Sequence, residues 1–154
     1  MYLASVLLFM ALFPAGSIAV DHLYFHGAAP LLPLTGKWFV FWAAGVRLFL
    51  AGLRQLFQPK FTAQQIFDVS SDDILPVVRE LGVANLATGT AGVVSLAEPS
   101  FVLPVAVIAA IFYGIAGLRH ALAPKRNRNE NIAMISDLGV FVIFAAYAGS
   151  AAVR

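Results

Sequence analysis

The chain contains no cysteine, which excludes disulfides and thiolate metal sites. Charge is scarce: charged residues make up 12% of the 154 positions, against about 25% in a typical soluble domain. There is no phosphate-binding glycine loop, no Ser-His-Asp set and no zinc spacing. Two histidines on helices at matching depth, as haem ligation requires, are also missing. No internal repeat or low-complexity tract interrupts the chain.

Apolar residues account for 60% of the chain, and the mean hydropathy is +0.84. They fall into five runs, at residues 1–20, 38–57, 74–96, 101–118 and 132–153. Each is near the ~20 residues that a helix needs to cross a bilayer core of about 30 Å. The expected fold is all-α: one polytopic transmembrane bundle of five helices over 1–154, about 1–20, 38–57, 74–96, 101–120 and 132–153. The first run ends in the small-x-small triplet Ser17-Ile18-Ala19 but lacks a basic leader. It reads as a retained helix that adds to a four-helix core.

Arg54, Lys60, Arg119, Lys125, Arg126 and Arg128 fall on one side of five alternating crossings, Lys37 and Arg154 on the other. The rich side is therefore cytoplasmic, with the amino terminus inside and the carboxyl terminus outside. The net charge of +2 belongs to this topology rather than to nucleic acid binding. Residues 21–37, with Pro30, Pro33 and two glycines, read as an outer loop. Pro59 stops the second helix, and Ser70 with Asp73 reads as a capping box for the third. Residues 97–100 form a tight turn that makes helices three and four an antiparallel hairpin, and residues 123–131 a basic loop. Small residues mark packing seams: Ala84, Thr88 and Gly92; Gly82 and Gly89; Ala106, Ala110 and Gly114; Ala145 and Gly149. Because helix three carries them on more than one face, it is expected at the bundle centre.

Charges within membrane helices are rare and face the interior. The candidate polar cluster is Arg47, Arg54, Arg79, Glu80, Asn85, His120 and Asp137. At 1.5 Å per residue, Arg47 lies roughly 15 Å from the inner end of its helix. By the same rise, Arg79 and Glu80 lie roughly 8–9 Å in, Asn85 roughly 16 Å and Asp137 roughly 8 Å. All of these charges fall in the cytoplasmic half, and the arginines have Glu80 and Asp137 as acidic partners. Glu80 and Asn85 are about 140° apart on a regular helix, so one pocket does not easily use both. His22 and His26, with only Asp21 beside them, fall short of a metal set. No catalytic residue and no metal site are expected.

The stretches Gly36-Lys37-Trp38-Phe39-Val40-Phe41-Trp42 and Arg47-Leu48-Phe49-Leu50-Ala51-Gly52-Leu53-Arg54-Gln55 are distinctive. So are Leu75-Pro76 and Arg79-Glu80-Leu81-Gly82-Val83-Ala84-Asn85-Leu86 with Gly89. With the 114–120 segment and Asn129-Glu130, they resemble a bacterial family of small multi-pass membrane proteins known only as a domain of unknown function. Arg47-Leu48 through Gly52-Leu53 is more distantly similar to DoxX-type membrane proteins. The resemblance implies an inner-membrane bundle and carries over no catalytic residue. The expected function is an accessory or scaffold protein whose polar cluster is structural. The alternatives are a small carrier or channel for a proton or polar solute, and a DoxX-like oxidoreductase component. The bilayer is the expected partner, with a larger complex or homo-oligomer beyond it. No cofactor is expected, although a bound lipid or quinone is compatible with the apolar bundle.

Overall fold

The computed structural model describes residues 2–25 and 30–152, and among these there is no strand. Six helices follow one another: α1 (Tyr2–Phe25), α2 (Leu31–Phe57), α3 (Pro59–Gln65), α4 (Leu75–Val94), α5 (Pro99–Leu122) and α6 (Arg128–Ala152). Four of them, α1, α2, α5 and α6, are long and apolar enough to cross a membrane. The third expected span, α4, is long enough at 20 residues but is diluted by Arg79, Glu80, Asn85, Thr88 and Thr90. Short α3 is additional to the five helices expected.

The outer loop expected at 21–37 is much shorter. α1 continues through Asp21–Phe25, and α2 begins at Leu31. Pro33 does not block this start, because it lies in the first turn, where backbone N–H groups have no helical acceptor. His26 lies outside the described residues.

Two helices contain π-helical segments, in which backbone bonds reach back five residues instead of four. α1 has two, Asp21–Phe25 at its end and Leu8–Leu12, which ends two residues before Pro14, whose missing N–H removes a ladder bond. The third, Val40–Val46, lies in the middle of α2.

α2 is the central helix and touches α1, α4, α5 and α6. The expectation that the third long helix is central is thereby corrected. α4 buries one stripe only: Leu75 and Val78 pack with Ala63 of α3, and Gly82, Asn85, Gly89 and Gly92 lie along α2. Ala84 is exposed. The glycines allow the two backbones to meet: a Cβ on Gly45 would stand 2.8 Å from the Gly92 carbonyl carbon, and one on Gly52 2.6 Å from the Leu86 nitrogen. Such close approach is what small residues supply where dispersion must hold helices together.

α5 pairs chiefly with α6 rather than with α4, its neighbour in sequence. α6 sets Phe141 against Gly114 and Leu138 against Gly117 of α5, and stacks Phe144 on Tyr113. Ala145 and Gly149 are exposed, which corrects the seam expected there. The core joins Val40, Ala43, Ala44 and Leu48 of α2 to Val105, Ala106, Ala109 and Tyr113 of α5 and to Phe144 of α6.

The connections are capped by side chains. Ser71, not Ser70, receives the Asp73 N–H, at 3.2 Å. Before α6, Asn127 and Glu130 form a reciprocal box: the Asn127 N–H donates to Glu130 Oε2 at 2.8 Å, and the Glu130 N–H to Asn127 Oδ1 at 2.9 Å. The Arg126 guanidinium donates to the carbonyls of His120, Ala121 and Ala123 and closes the end of α5.

Candidate functional site

The π segment of α2 creates the most unusual polar site. The Arg47 N–H bonds the Trp42 carbonyl, five residues back, and passes over Ala43. The Ala43 carbonyl instead accepts a 2.7 Å hydrogen bond from the Tyr113 hydroxyl of α5. Arg47 Nη1 donates to that same hydroxyl at 3.2 Å, and the guanidinium carbon lies 5.7 Å from the Tyr113 ring centre. The Tyr113 ring, itself fully buried, stacks on Phe144 of α6 with centroids 6.2 Å apart.

Asp137 of α6 faces this group and is only 6% exposed. Its charge and that of Arg47 act on one another, and Tyr2 of α1 lies within reach of both. Arg47 and Asp137 are not in direct salt-bridge contact, and Asp137 Oδ1 has no hydrogen-bond partner among the described residues. Four helices thus converge on one polar node.

The other residues singled out in the sequence go elsewhere. Asn85 of α4 donates to Gln55 Oε1 of α2 at 2.8 Å, in a buried bond amid the glycine contacts. Arg54 lies over the Phe61 ring of α3 at 3.5 Å. His120 Nδ1 is 4.0 Å from Glu130 Oε1, at the α5–α6 turn. Arg79 and Glu80 are exposed on α4 and make no ion pair or hydrogen bond among the described residues. Glu80 does not meet Arg47 or Arg54, because Gly82, Asn85 and Gly89 occupy the side of α4 that faces α2.

Sequence reading missed Tyr2, Tyr113 and the Ala43 carbonyl. It also missed a second polar pair at the other end of α1 and α2. Asp21, 3% exposed, accepts from Lys37 Nζ at 2.7 Å and from Trp38 Nε1 at 2.8 Å. Trp42 Nε1 donates to Ser17 Oγ at 2.9 Å one turn away. The polar groups of the bundle therefore occupy both ends of these helices, not one half. An open groove of about 460 Å³ runs beside this pair between Phe13, Val20, Phe25 and Trp38. A second groove, of about 430 Å³, lies between Tyr2, Leu7, Arg128 and Ile132. Asp137 lines neither groove.

Among the described residues no three His, Asp or Glu side chains converge as a metal site. No curated protein and no solved structure shows significant similarity to the chain. The sequence does match one family over residues 2–151, a span that takes in both polar pairs, the glycine seam and all six helices but for the last residue of α6. The chain belongs to DUF6790, a family of unknown function.

Proposed function

We propose that this protein is a five-crossing scaffold or accessory subunit of the bacterial inner membrane, with the Arg47–Tyr113–Asp137 node as its structural lock. α4 counts as the fifth crossing because it lies along α2, so the two share whatever depth α2 occupies. The excess of Lys and Arg at Arg54, Lys60, Arg119, Lys125, Arg126 and Arg128 supports a cytoplasmic side for those turns and for the amino terminus. The bilayer is the first partner, and a larger membrane complex the second.

One observation carries the structural reading: Arg47, Tyr113, Asn85 and Gln55 of the interior bind protein groups across helices. Arg47 engages Tyr113, Tyr113 engages the α2 backbone, and Asn85 engages Gln55. A central arginine costs about 2.5–3.5 kcal/mol on insertion, so α2 depends on these partners to remain in place. A carrier for a proton or polar solute is the second reading. It is favoured by the buried, unpartnered Oδ1 of Asp137.

Reconstitution separates the two. For a scaffold, Asp137→Asn lowers the folded yield, and proteoliposomes of the native chain pass no more protons or solute than empty vesicles. Flux through the native chain that disappears in Asp137→Asn, with folded yield retained, refutes the scaffold. A chromophore or quinone that co-purifies stoichiometrically also refutes it, in favour of an oxidoreductase component. Orientation is read from Asn127→Cys in the cysteine-free chain, which should label only after the membrane is permeabilised.

A further inference from the structure

We infer that the face of α4 turned away from α2 is a dimer interface, occupied by the same face of a second copy of this chain. The inference rests on α4 lying within the bilayer. Opposite the stripe that packs on α2, α4 presents Glu80, Val83, Ala84, Ala87 and Val94, with Arg79 at its edge, and all six are exposed. Glu80 lies five residues beyond Leu75, roughly 8 Å along the helix at 1.5 Å per residue. A short carboxylate at that depth has little reach to the surface, and charged groups in membrane helices face protein, not acyl chains.

The charges select the occupant. Arg79 and Glu80 are adjacent in sequence, opposite in sign and nearly equal in depth. In a membrane dimer whose two-fold axis follows the bilayer normal, residue i meets residue j while j meets i at the same depth. Arg79 of each copy then faces Glu80 of the partner subunit, so both charges are matched without a third component. Below them, Ala84 and Ala87 permit close approach of the two α4 helices.

Single cysteines test this in native membranes, where the chain offers no other thiol. Ala87→Cys should form a covalent homodimer on mild oxidation. Ile111→Cys and Ile135→Cys, on exposed faces of α5 and α6, should not. In the Ala87→Cys background, Arg79→Glu or Glu80→Arg should each lower the cross-linked fraction about tenfold or more, because like charges then oppose. The double exchange Arg79→Glu with Glu80→Arg should restore it. The dimer is overturned if Ala87→Cys gives no homodimer, captures a different chain, or cross-links no better than the controls. It is also overturned if the double exchange is as defective as the single ones. Should a charge variant fail to fold, the contrast between positions 87, 111 and 135 decides the matter. An alkaline carbonate wash that strips the native chain from the membrane refutes the membrane reading itself, and is scored separately.

Discussion

The Tyr113 hydroxyl and the Ala43 carbonyl, 70 positions apart in the chain, are joined by a 2.7 Å hydrogen bond made available by the π segment of α2. Tyr113→Phe keeps the ring on Phe144 but deprives both the Ala43 carbonyl and Arg47 of a partner. A stability loss of about 1–3 kcal/mol is expected, the cost of leaving buried polar groups unsatisfied. Denaturant unfolding in micelles measures it. A variant as stable as the native chain would remove the node from the account.

The glycine seam gives a sharper contrast. A methyl group on Gly52 would lie 2.6 Å from the Leu86 nitrogen and 2.7 Å from the Gly82 carbonyl oxygen. Gly52→Ala should cost about 1–3 kcal/mol, as overpacking does elsewhere. Gly139 has open space at the same point, so Gly139→Ala should be neutral or stabilising by up to about 1 kcal/mol through helix propensity. Equal effects at the two positions would contradict the packing described.

Gln55 and Asn85 should be energetically coupled. A double-mutant cycle with Gln55→Leu and Asn85→Leu is expected to give about 0.6–1.7 kcal/mol, the range for hydrogen bonds between membrane helices. A coupling of zero would mean that the glycines alone hold α4 to α2.

The start of α5 should respond to acid. The Ser100 hydroxyl and N–H both donate to Glu98 Oε1 and hold its carboxyl below the ordinary carboxylate range. A lowered value means that the cap is fully formed above the ordinary value of 4.5 and is lost as pH falls through the folded value. The protection of the Ser100 amide, relative to the unstructured exchange rate at the same pH, should therefore fall only below about pH 4.5, by the same linkage. Glu98→Gln should flatten that dependence. A pH response that survives the substitution would assign it to another group.

How much of this was legible in the sequence depends on how local each signal is. Long apolar runs identify four helices long and apolar enough to span a membrane, because backbone satisfaction in lipid is a property of one helix at a time. Arg47 and Asp137 stand out because a charge in such a run is rare and needs a partner, structural or functional. Tyr113 does not, since an aromatic in an apolar helix reads as core, and its role depends on a backbone shift in another helix. Asp21 and Lys37 were hidden by the neighbouring Pro30 and Pro33, which suggested a loop where the helices in fact continue almost to their junction. Glu80 and Asn85 were separable by angle, yet only the α2 contact shows which of them turns inward.

The dependence of α2 on later helices sets a schedule for biogenesis. Tyr113 is made 66 residues after Arg47, which at ~5–20 residues per second is an interval of about 3–13 s. With α2 as the membrane span proposed above, the nascent helix carries an unmatched guanidinium for that time, which disfavours its release into lipid. On that reading, the arrival of Tyr113 in α5, as well as the helix's own hydrophobicity, decides how firmly α2 is held.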